Sequence, residues 1–106
     1  MFARQVSLQL KPNSVAEFTQ TIENDIIPML RKQPGLQDEI AFIVPGGTAA
    51  VSVSLWDEKE HAETYHRGIY PAVLKVLANV VGGTPQVHTY EVSNSTFHKI
   101  VARVAA

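Results

Sequence analysis

Residues 36–56, LQDEIAFIVPGGTAAVSVSLW, decide the fold. Two strand-like runs, Leu36 to Val44 and Ala49 to Trp56, flank the turn sequence Pro45-Gly46-Gly47-Thr48. So short a glycine-containing connection predicts an antiparallel hairpin. The second run alternates well, since Val51, Val53 and Leu55 share one face and Ala50, Ser52, Ser54 and Trp56 share the other.

The segment before the hairpin predicts a strand and then a helix. Phe2 to Leu10 alternates with period two and places Val6, Leu8 and Leu10 on one face, which is typical of a half-buried strand. Ser14-Val15-Ala16-Glu17 has the spacing of a capping box. Apolar residues then recur every three or four positions to about Lys32, so this stretch predicts an amphipathic helix.

Prolines and glycines punctuate the predicted helices. Pro28 should kink the last turns of the first helix, and Pro34-Gly35 should end it. After the hairpin, Asp57 is predicted to be an N-cap, with Glu60 three residues later. The region from Glu58 to Val81 is predicted to be helical but broken, because Gly68 and Pro71 interrupt it, with a second helix beginning near Pro71.

The end of the chain predicts one further strand. Gly82-Gly83-Thr84-Pro85 is predicted to close the second helix, and Gln86 to Val92 is predicted to be the fourth strand. The tail, Phe97 to Val104, alternates weakly and either forms a short extra strand or stays irregular. The order strand, helix, strand, strand, helix, strand predicts one α+β domain over residues 1–106, with the ferredoxin-like βαββαβ topology: a four-stranded antiparallel sheet with helices on one face.

Composition excludes several classes of function. The chain has 106 residues, of which 45% are apolar and 18% charged, with a formal net charge of -1, so it lacks the basic footprint of a nucleic-acid-binding protein. It contains no cysteine, which excludes disulfides and thiolate chemistry. No stretch approaches the ~20 apolar residues of a membrane span, so no membrane contact is expected and the cytoplasm is the default location.

The uncovered face of the sheet predicts a homodimer. Helices on one side leave the other face to water or to a second subunit, and we assign Ala50 and Trp56 to that open face. A one-sided sheet can also stay wet, so a monomer is the alternative. A domain of this size buries a limited share of its surface, which favours a partner.

Three segments resemble the antibiotic-biosynthesis-monooxygenase-like domains of the dimeric α+β barrel superfamily. They are Leu8-Gln9-Leu10-Lys11-Pro12, Leu30-Arg31-Lys32-Gln33-Pro34-Gly35-Leu36 and Ser54-Leu55-Trp56-Asp57-Glu58-Lys59-Glu60. The resemblance covers about residues 2–92. It implies a dimeric α+β barrel, in which two sheets pack face to face, and a cleft between helices and sheet in each subunit.

The resemblance also separates branches of that superfamily. The haem-degrading branch has an asparagine where this chain has Val6, a tryptophan near Tyr65, and a histidine near Leu74 or Lys75, so haem degradation is not expected. Cofactor-independent oxygenases of phenols have a polar residue four positions before the tryptophan, here Ser52. They have an aromatic hydroxyl six positions after it, where this chain has Ala62.

Two histidines are the candidate catalytic residues, since imidazole titrates near neutrality. His66 follows Tyr65 and precedes the Gly68 break, where it would orient or deprotonate a phenolic substrate; the alternative is a half-exposed histidine at a helix end. His88 alternates with its neighbours on the fourth strand and faces either the cleft or the barrel, where it would be a hydrogen-bonded interface residue.

The candidate substrate-binding residues are Trp56, Tyr65, Tyr70 and Ser52. The two tyrosines either line an apolar pocket or pack the helix onto the sheet, and Trp56 either forms a pocket floor or packs in the core. Asp38 and Glu39 are interpreted as solvated edge charges.

No metal site is expected, because His61 and His66 lack the four-residue spacing of a helical metal pair. No cofactor is expected either. Together with these residues, the resemblance implies a monooxygenase-like protein that acts on a small apolar or aromatic (phenolic) substrate without a tightly bound cofactor. The alternative is a non-catalytic dimeric module that binds a small molecule or regulates.

Overall fold

The structure of the protein is a computed structural model that describes residues 1–100. Its elements are β1 (Phe2–Leu10), α1 (Val15–Thr21), a π-helical turn (Ile22–Ile26), α2 (Ile27–Arg31), β2 (Leu36–Ile43), β3 (Ala49–Trp56), α3 (Lys59–Gly68), α4 (Tyr70–Leu77) and β4 (Val81–Glu91). The strands form one antiparallel sheet in the order β2-β3-β1-β4. This confirms the ferredoxin-like topology.

The core lies between the sheet and the helices. Strand β1 is central, and its alternate residues from Phe2 to Leu10 are buried beneath the helices. The helices contribute apolar side chains such as Phe18 and Leu30 to the same cluster. Because β1 pairs with both β3 and β4, its buried face sets which side of those strands the helices cover.

This register corrects the assignment of Ala50 and Trp56 to the open face. Ala50 lies opposite Leu8 and Trp56 lies opposite Phe2, so both point toward the helices; they are 1% and 0% exposed. Directly opposed residues share a face of the sheet, and the apolar face of β1 is the covered one. The open face therefore carries the other set on β3, Val51, Val53 and Leu55.

Two predicted caps are wrong in detail. Ser14 is the N-cap of α1, but its hydroxyl donates to the carbonyl of Pro12 at 3.4 Å and no capping box forms. Asp57 precedes the N-cap of α3, which is Glu58, and its carboxylate accepts the Glu58 N–H at 2.6 Å. In both cases the side chain bonds to a nearer backbone group instead.

The structure confirms an irregularity near Pro28 and a break at Gly68, but the irregularity near Pro28 has a different form from the predicted kink. The irregularity expected at Pro28 begins one turn earlier, as the π-helical turn Ile22–Ile26, which widens the helix just before the residue that lacks an N–H. The break at Gly68 is confirmed, since α3 ends there and α4 begins at Tyr70, with Pro71 in its first turn.

The fourth strand is longer than predicted. Residues 82–85, predicted to be a closing turn, lie inside β4, where the register against β1 shifts between Ser7 and Gln9. Gly83, at φ 69°, and Pro85 are tolerated because β4 is an edge strand with an irregularity at this point. Residues 97–100 form no strand, and residues 101–104 of the predicted extra strand lie outside the described residues. Within residues 1–100, no helix has the length and apolar character to cross a bilayer.

Candidate functional site

A buried arginine marks the centre of the site. Arg4 lies on the helix-covered face of β1 and is only 3% exposed. Its Nη2 donates to Nδ1 of His66 at 2.8 Å, and its guanidinium carbon lies 4.0 Å from the ring centroid of Tyr70 and 5.2 Å from that of Tyr65. Because arginine stays charged in proteins, the burial places a permanent cation against two aromatic faces.

Aromatic rings hold this cation in place. Tyr65 lies with its ring centroid 5.0 Å from that of Trp56 and 6.1 Å from that of Tyr70, and His66 stacks on Tyr70 at 5.3 Å. In an unbroken helix, residues five apart would point about 140° away from each other. The break after Gly68 lets Tyr65 and Tyr70 both face Arg4.

Burial raises the pKa of Tyr65 well above its ordinary value, against the opposing effect of the Arg4 charge. Its hydroxyl therefore stays protonated at neutral pH. Trp56 is fully buried behind Tyr65, and its indole N–H donates to the Ser54 hydroxyl at 2.9 Å. Trp56 packs in the core, and its polar atom is satisfied there.

A polar row crosses the sheet on the helix side. Ser54 of β3 lies opposite Arg4 on one neighbouring strand and opposite Glu39 on the other, and Arg4 lies opposite Thr89 of β4. The row therefore runs Glu39, Ser54, Arg4, Thr89 across all four strands. It brings a carboxyl group under the helices, on the same face as the buried cation.

Glu39 was interpreted as a solvated edge charge, and that interpretation is wrong. The register between β2 and β3 shifts between Leu36 and Asp38, which turns Glu39 toward the helices. Burial raises its pKa to about 7, opposed by a hydrogen bond from the Ser52 hydroxyl and by the charge of Arg4. Asp38 points to the other face and contacts the imidazole of His98.

Two cavities adjoin Arg4. The outer cleft, of about 420 Å³, lies between α3 and the strands β1 and β4. Phe2, Ala62 and Val87 give it apolar surface, and Arg4 and His66 reach into it. Its remaining lining is polar or charged: Lys59, Glu63, Arg67 and Thr89. The inner cavity, of about 30 Å³, lies between helices and sheet, and its polar lining includes Arg4, Glu39 and Ser52. The outer cleft has room for a small aromatic molecule, whereas the inner cavity has room for water.

His66 is a neutral hydrogen-bonding group at this junction. His66 as a whole is exposed, but the desolvation that remains at its ring, followed by the charges of Arg4 and Arg67, lowers its pKa below the ordinary value. A guanidinium has donors only, so Nδ1 of His66 must be the acceptor in its bond to Arg4. The ring proton is therefore on Nε2.

The structure brings together most, but not all, of the predicted site residues. His66 lines the outer cleft, while Tyr65, Tyr70 and Ser52 line the inner cavity on the other side of Arg4. Trp56 contacts Tyr65 but lines neither cavity. His88 lies opposite Gln5 on the open face of the sheet and is exposed, away from the other residues.

Arg4 and Glu39 are the site residues that sequence reasoning missed. Arg4 had a signal, because it is the charged member of an otherwise apolar alternation on β1. Glu39 had none, since its inward direction depends on the register shift in β2. Within residues 1–100, no group of three or more histidine, aspartate or glutamate side chains is arranged to hold a metal ion.

Several solved structures superpose on this chain. A monooxygenase from the gene ActVA-Orf6 of Streptomyces coelicolor, solved in complex with nanaomycin D, superposes with a TM-score of 0.74 at 16% identity, over 92% of each chain. The fold is that of the antibiotic-biosynthesis-monooxygenase-like proteins.

Two proteins from Nitrosomonas europaea also superpose on this chain. One, of unknown function, has a TM-score of 0.75 at 18% identity and covers 95% of this chain and 94% of its own. The other, provisionally described as an antibiotic biosynthesis monooxygenase, has a TM-score of 0.72 at 14% identity and covers 89% and 100%. No protein-family model and no curated protein matches the sequence. At these identities, the antibiotic-biosynthesis-monooxygenase-like resemblance is one of fold.

Proposed function

We propose that the protein is a small monooxygenase-like enzyme that binds an apolar or aromatic phenol in the outer cleft. One observation carries the proposal: a permanently charged, buried guanidinium opens onto a cleft whose walls include apolar side chains from both the sheet and α3. A phenol has an apolar ring for the walls and an oxygen that becomes anionic when it loses its proton. Such an oxyanion gains most from a fixed cation in a poorly hydrated site.

His66 assists as a hydrogen-bond donor. With Nδ1 occupied by Arg4, its Nε2–H is free to donate to the ligand oxygen. Arg4 and His66 thus give two donors on one face of the cleft, which orients the phenol and stabilises its anion. The lowered pKa of His66 keeps a second positive charge away from Arg4.

The proposed reaction consumes dioxygen. An electron-rich phenolate is oxidised to a quinone while dioxygen is reduced. One oxygen atom enters the ring as the new carbonyl, and the other leaves as water with two hydrogens taken from the phenol. The protein's part is to bind the anion, orient it and keep bulk water away. The Streptomyces coelicolor monooxygenase of the same fold was solved in complex with nanaomycin D, which supports a small-molecule ligand for this chain.

Oxygen consumption with a panel of naphthols and hydroxyanthrones tests the proposal. We expect turnover with at least one of them, and a loss on the order of 10²-fold in Arg4→Met and in His66→Ala. His88→Ala is the matched control, since it removes a histidine from the open face. Turnover that survives Arg4→Met at the wild-type rate would overturn the proposed role of the cation.

The second candidate is a small-molecule-binding module without turnover. The observation that favours it is that Nδ1 of His66 is already engaged by Arg4, so the imidazole has no free base in the unliganded site. This candidate predicts thermal stabilisation of the protein by a naphthol that also depends on Arg4, with no oxygen consumed.

A homodimer through the open sheet face completes the proposal. The face carries Phe42 at 50% exposure and Tyr90 at 52%, together with the half-buried Val51, Val53 and Leu55. This apolar surface lies mainly on β2 and β3, since β1 presents Gln5 and Ser7 to the same face. Exposed apolar surface of this kind favours an interaction site in a protein this small. Packing two such faces together would form a barrel and leave both outer clefts, which lie on the helix side, accessible.

A further inference from the structure

We propose that Glu39 takes up the proton that a phenol gives up in the outer cleft, because Glu39 and the bound phenolate compete as counter-anions of Arg4. This inference rests on the proposed function and adds to it the destination of the substrate proton. The phenol O–H bond breaks, its electron pair stays on the oxygen beside Arg4, and the proton ends on the Glu39 carboxylate. The protein–ligand complex then has the same net charge as its separate parts.

Glu39 and the outer cleft lie on opposite sides of Arg4, because Thr89, which lines the cleft, pairs with Arg4 from the other neighbouring strand. Glu39 and Arg4 flank Ser54 on neighbouring strands, so their backbones are two strand spacings, roughly 10 Å, apart. Both side chains line the inner cavity, but Arg4 alone also reaches the outer cleft. Within residues 1–100 the two groups form no ion pair, so the Arg4 charge is shared through space.

Each element around Glu39 presents a defined group to it. Ser52 of β3 donates a hydrogen bond to the carboxylate, β1 presents the Arg4 charge, and α3 presents the hydroxyl of Tyr65, which stays neutral. From α4, Tyr70 lines the same cavity beside apolar side chains. Of the residues that line the inner cavity, Arg4 and Glu39 are the charged ones, so the charge balance is between these two groups.

This balance makes the protonation of Glu39 sensitive to the ligand. The charge of Arg4 favours the ionised carboxylate, whereas burial disfavours it, and the resulting pKa is about 7. A phenolate at Arg4 places a second negative charge near the same cation. Lys59 and Arg67 also line the outer cleft, but Arg4 is the cation that lines both the cleft and the inner cavity. A phenolate beside Arg4 therefore weakens the attraction that keeps the Glu39 carboxylate ionised, and the carboxylate is protonated. The inner cavity, of about 30 Å³, has room for a water molecule that would deliver the proton to the carboxylate.

Calorimetric proton counting tests the inference. Binding of 2-naphthol and of 2-naphthoate is measured in the absence of dioxygen at about pH 8, in two buffers of different ionisation enthalpy. This pH is above the pKa of Glu39 and below that of a free phenol. In the wild type, naphthoate should take up most of one proton per ligand. Naphthol should bind as its anion, identified by absorbance, and release almost no proton to the buffer.

Glu39→Gln should abolish proton uptake with naphthoate. It should also make naphthol either bind in its neutral form or release about one proton to the buffer. The matched control is Asp38→Asn, which removes the neighbouring carboxylate from the other face of the sheet and should behave as the wild type. Ser52→Ala keeps the carboxyl group but removes its hydrogen bond, so proton uptake should reach its maximum at a higher pH.

The outcomes separate the two proposals. Binding of both probes that depends on Arg4 but leaves proton counts unchanged in Glu39→Gln overturns the inference and spares the proposed function. Neutral naphthol in the wild-type complex has the same meaning. Failure of both probes to bind overturns the proposed function and the inference with it. If Glu39→Gln does not fold, the Ser52→Ala measurement decides, since an unshifted pH dependence there also overturns the inference.

Discussion

Arg4 and His66 are joined by a hydrogen bond of 2.8 Å between Nη2 and Nδ1, across a sequence separation of 62 residues. The bond ties the central strand β1 to the last turn of α3, just before the break at Gly68. It also fixes the imidazole tautomer, because a guanidinium cannot accept a hydrogen bond. The pKa of His66 therefore depends directly on the charge of Arg4.

Replacing Arg4 by methionine should raise the pKa of His66 toward the ordinary value for histidine. The substitution removes a neighbouring positive charge that disfavours the imidazolium, while burial, the larger cause, remains. Titration of the ring C–H resonances by NMR measures the change. Arg67→Gln is the control and should produce a smaller rise, since Arg67 is the weaker of the two charged causes. An unchanged pKa in Arg4→Met would contradict the contact between the two side chains.

Stability should fall as the pH rises from about 4.5 to about 7, in a manner that depends on Glu39. The pKa of Glu39 is near 7 in the folded protein and about 4.5 in its ordinary state, so within this window the folded protein binds more protons than the unfolded chain. The contribution of Glu39 to stability therefore decreases as the pH rises across the window, by at most about 3 kcal/mol in total. Below and above the window this contribution is constant. Urea unfolding at several pH values gives the slope.

Glu39→Gln isolates this contribution, because the glutamine side chain does not titrate. The difference in unfolding free energy between wild type and variant should shift in favour of the variant as the pH rises through the window. Parallel curves for wild type and Glu39→Gln would mean that Glu39 is as well solvated in the folded protein as in the unfolded chain.

The fold could be predicted because its signals are local. The period-two alternation of β1, the turn Pro45-Gly46-Gly47-Thr48 and the break at Gly68 each act within a few residues, and together they order the elements. What failed depended on pairing between distant segments. Ala50 and Trp56 were placed on the wrong face, since alternation within β3 shows two faces but only its register with β1 shows which one the helices cover.

The same distinction between local signals and long-range strand pairing holds for the candidate site. The tyrosines and His66 lie close together because they flank one helix break, which the sequence shows. Arg4 and Glu39 meet beneath them from two different strands, and Glu39 faces inward only because of the register shift in β2. The irregularity of β4 at Gly83 and Pro85 was hidden for a related reason, since glycine and proline are typical of turns and also occur in irregular edge strands.

Gly35→Ala should destabilise the protein by more than about 2 kcal/mol. Gly35 has φ 84°, and a Cβ built there would overlap the Asp57 carboxylate and the His61 ring, which are hydrogen-bonded to each other at 2.7 Å. The substitution must strain the backbone and push this pair apart. Gly46→Ala is the control: its φ is 102°, but no atom lies within 4 Å, so only the backbone cost of about 1 kcal/mol applies. Equal losses in the two variants, measured by urea unfolding, would show that the contact is not limiting.

Val53→Glu should convert the proposed homodimer into a monomer. Val53 lies at the centre of the open face, opposite Gln5 on β1 and Ile40 on β2. A charge placed there would have to be buried against the partner sheet, which costs several kcal/mol without a counter-ion, whereas in a monomer it remains in water. Ala72→Glu, on the exposed surface of α4, adds the same charge on the other side of the molecule and should leave the dimer intact. Sedimentation over a range of concentrations distinguishes the two states, and a wild-type protein that sediments as a monomer throughout would show that this apolar face meets water.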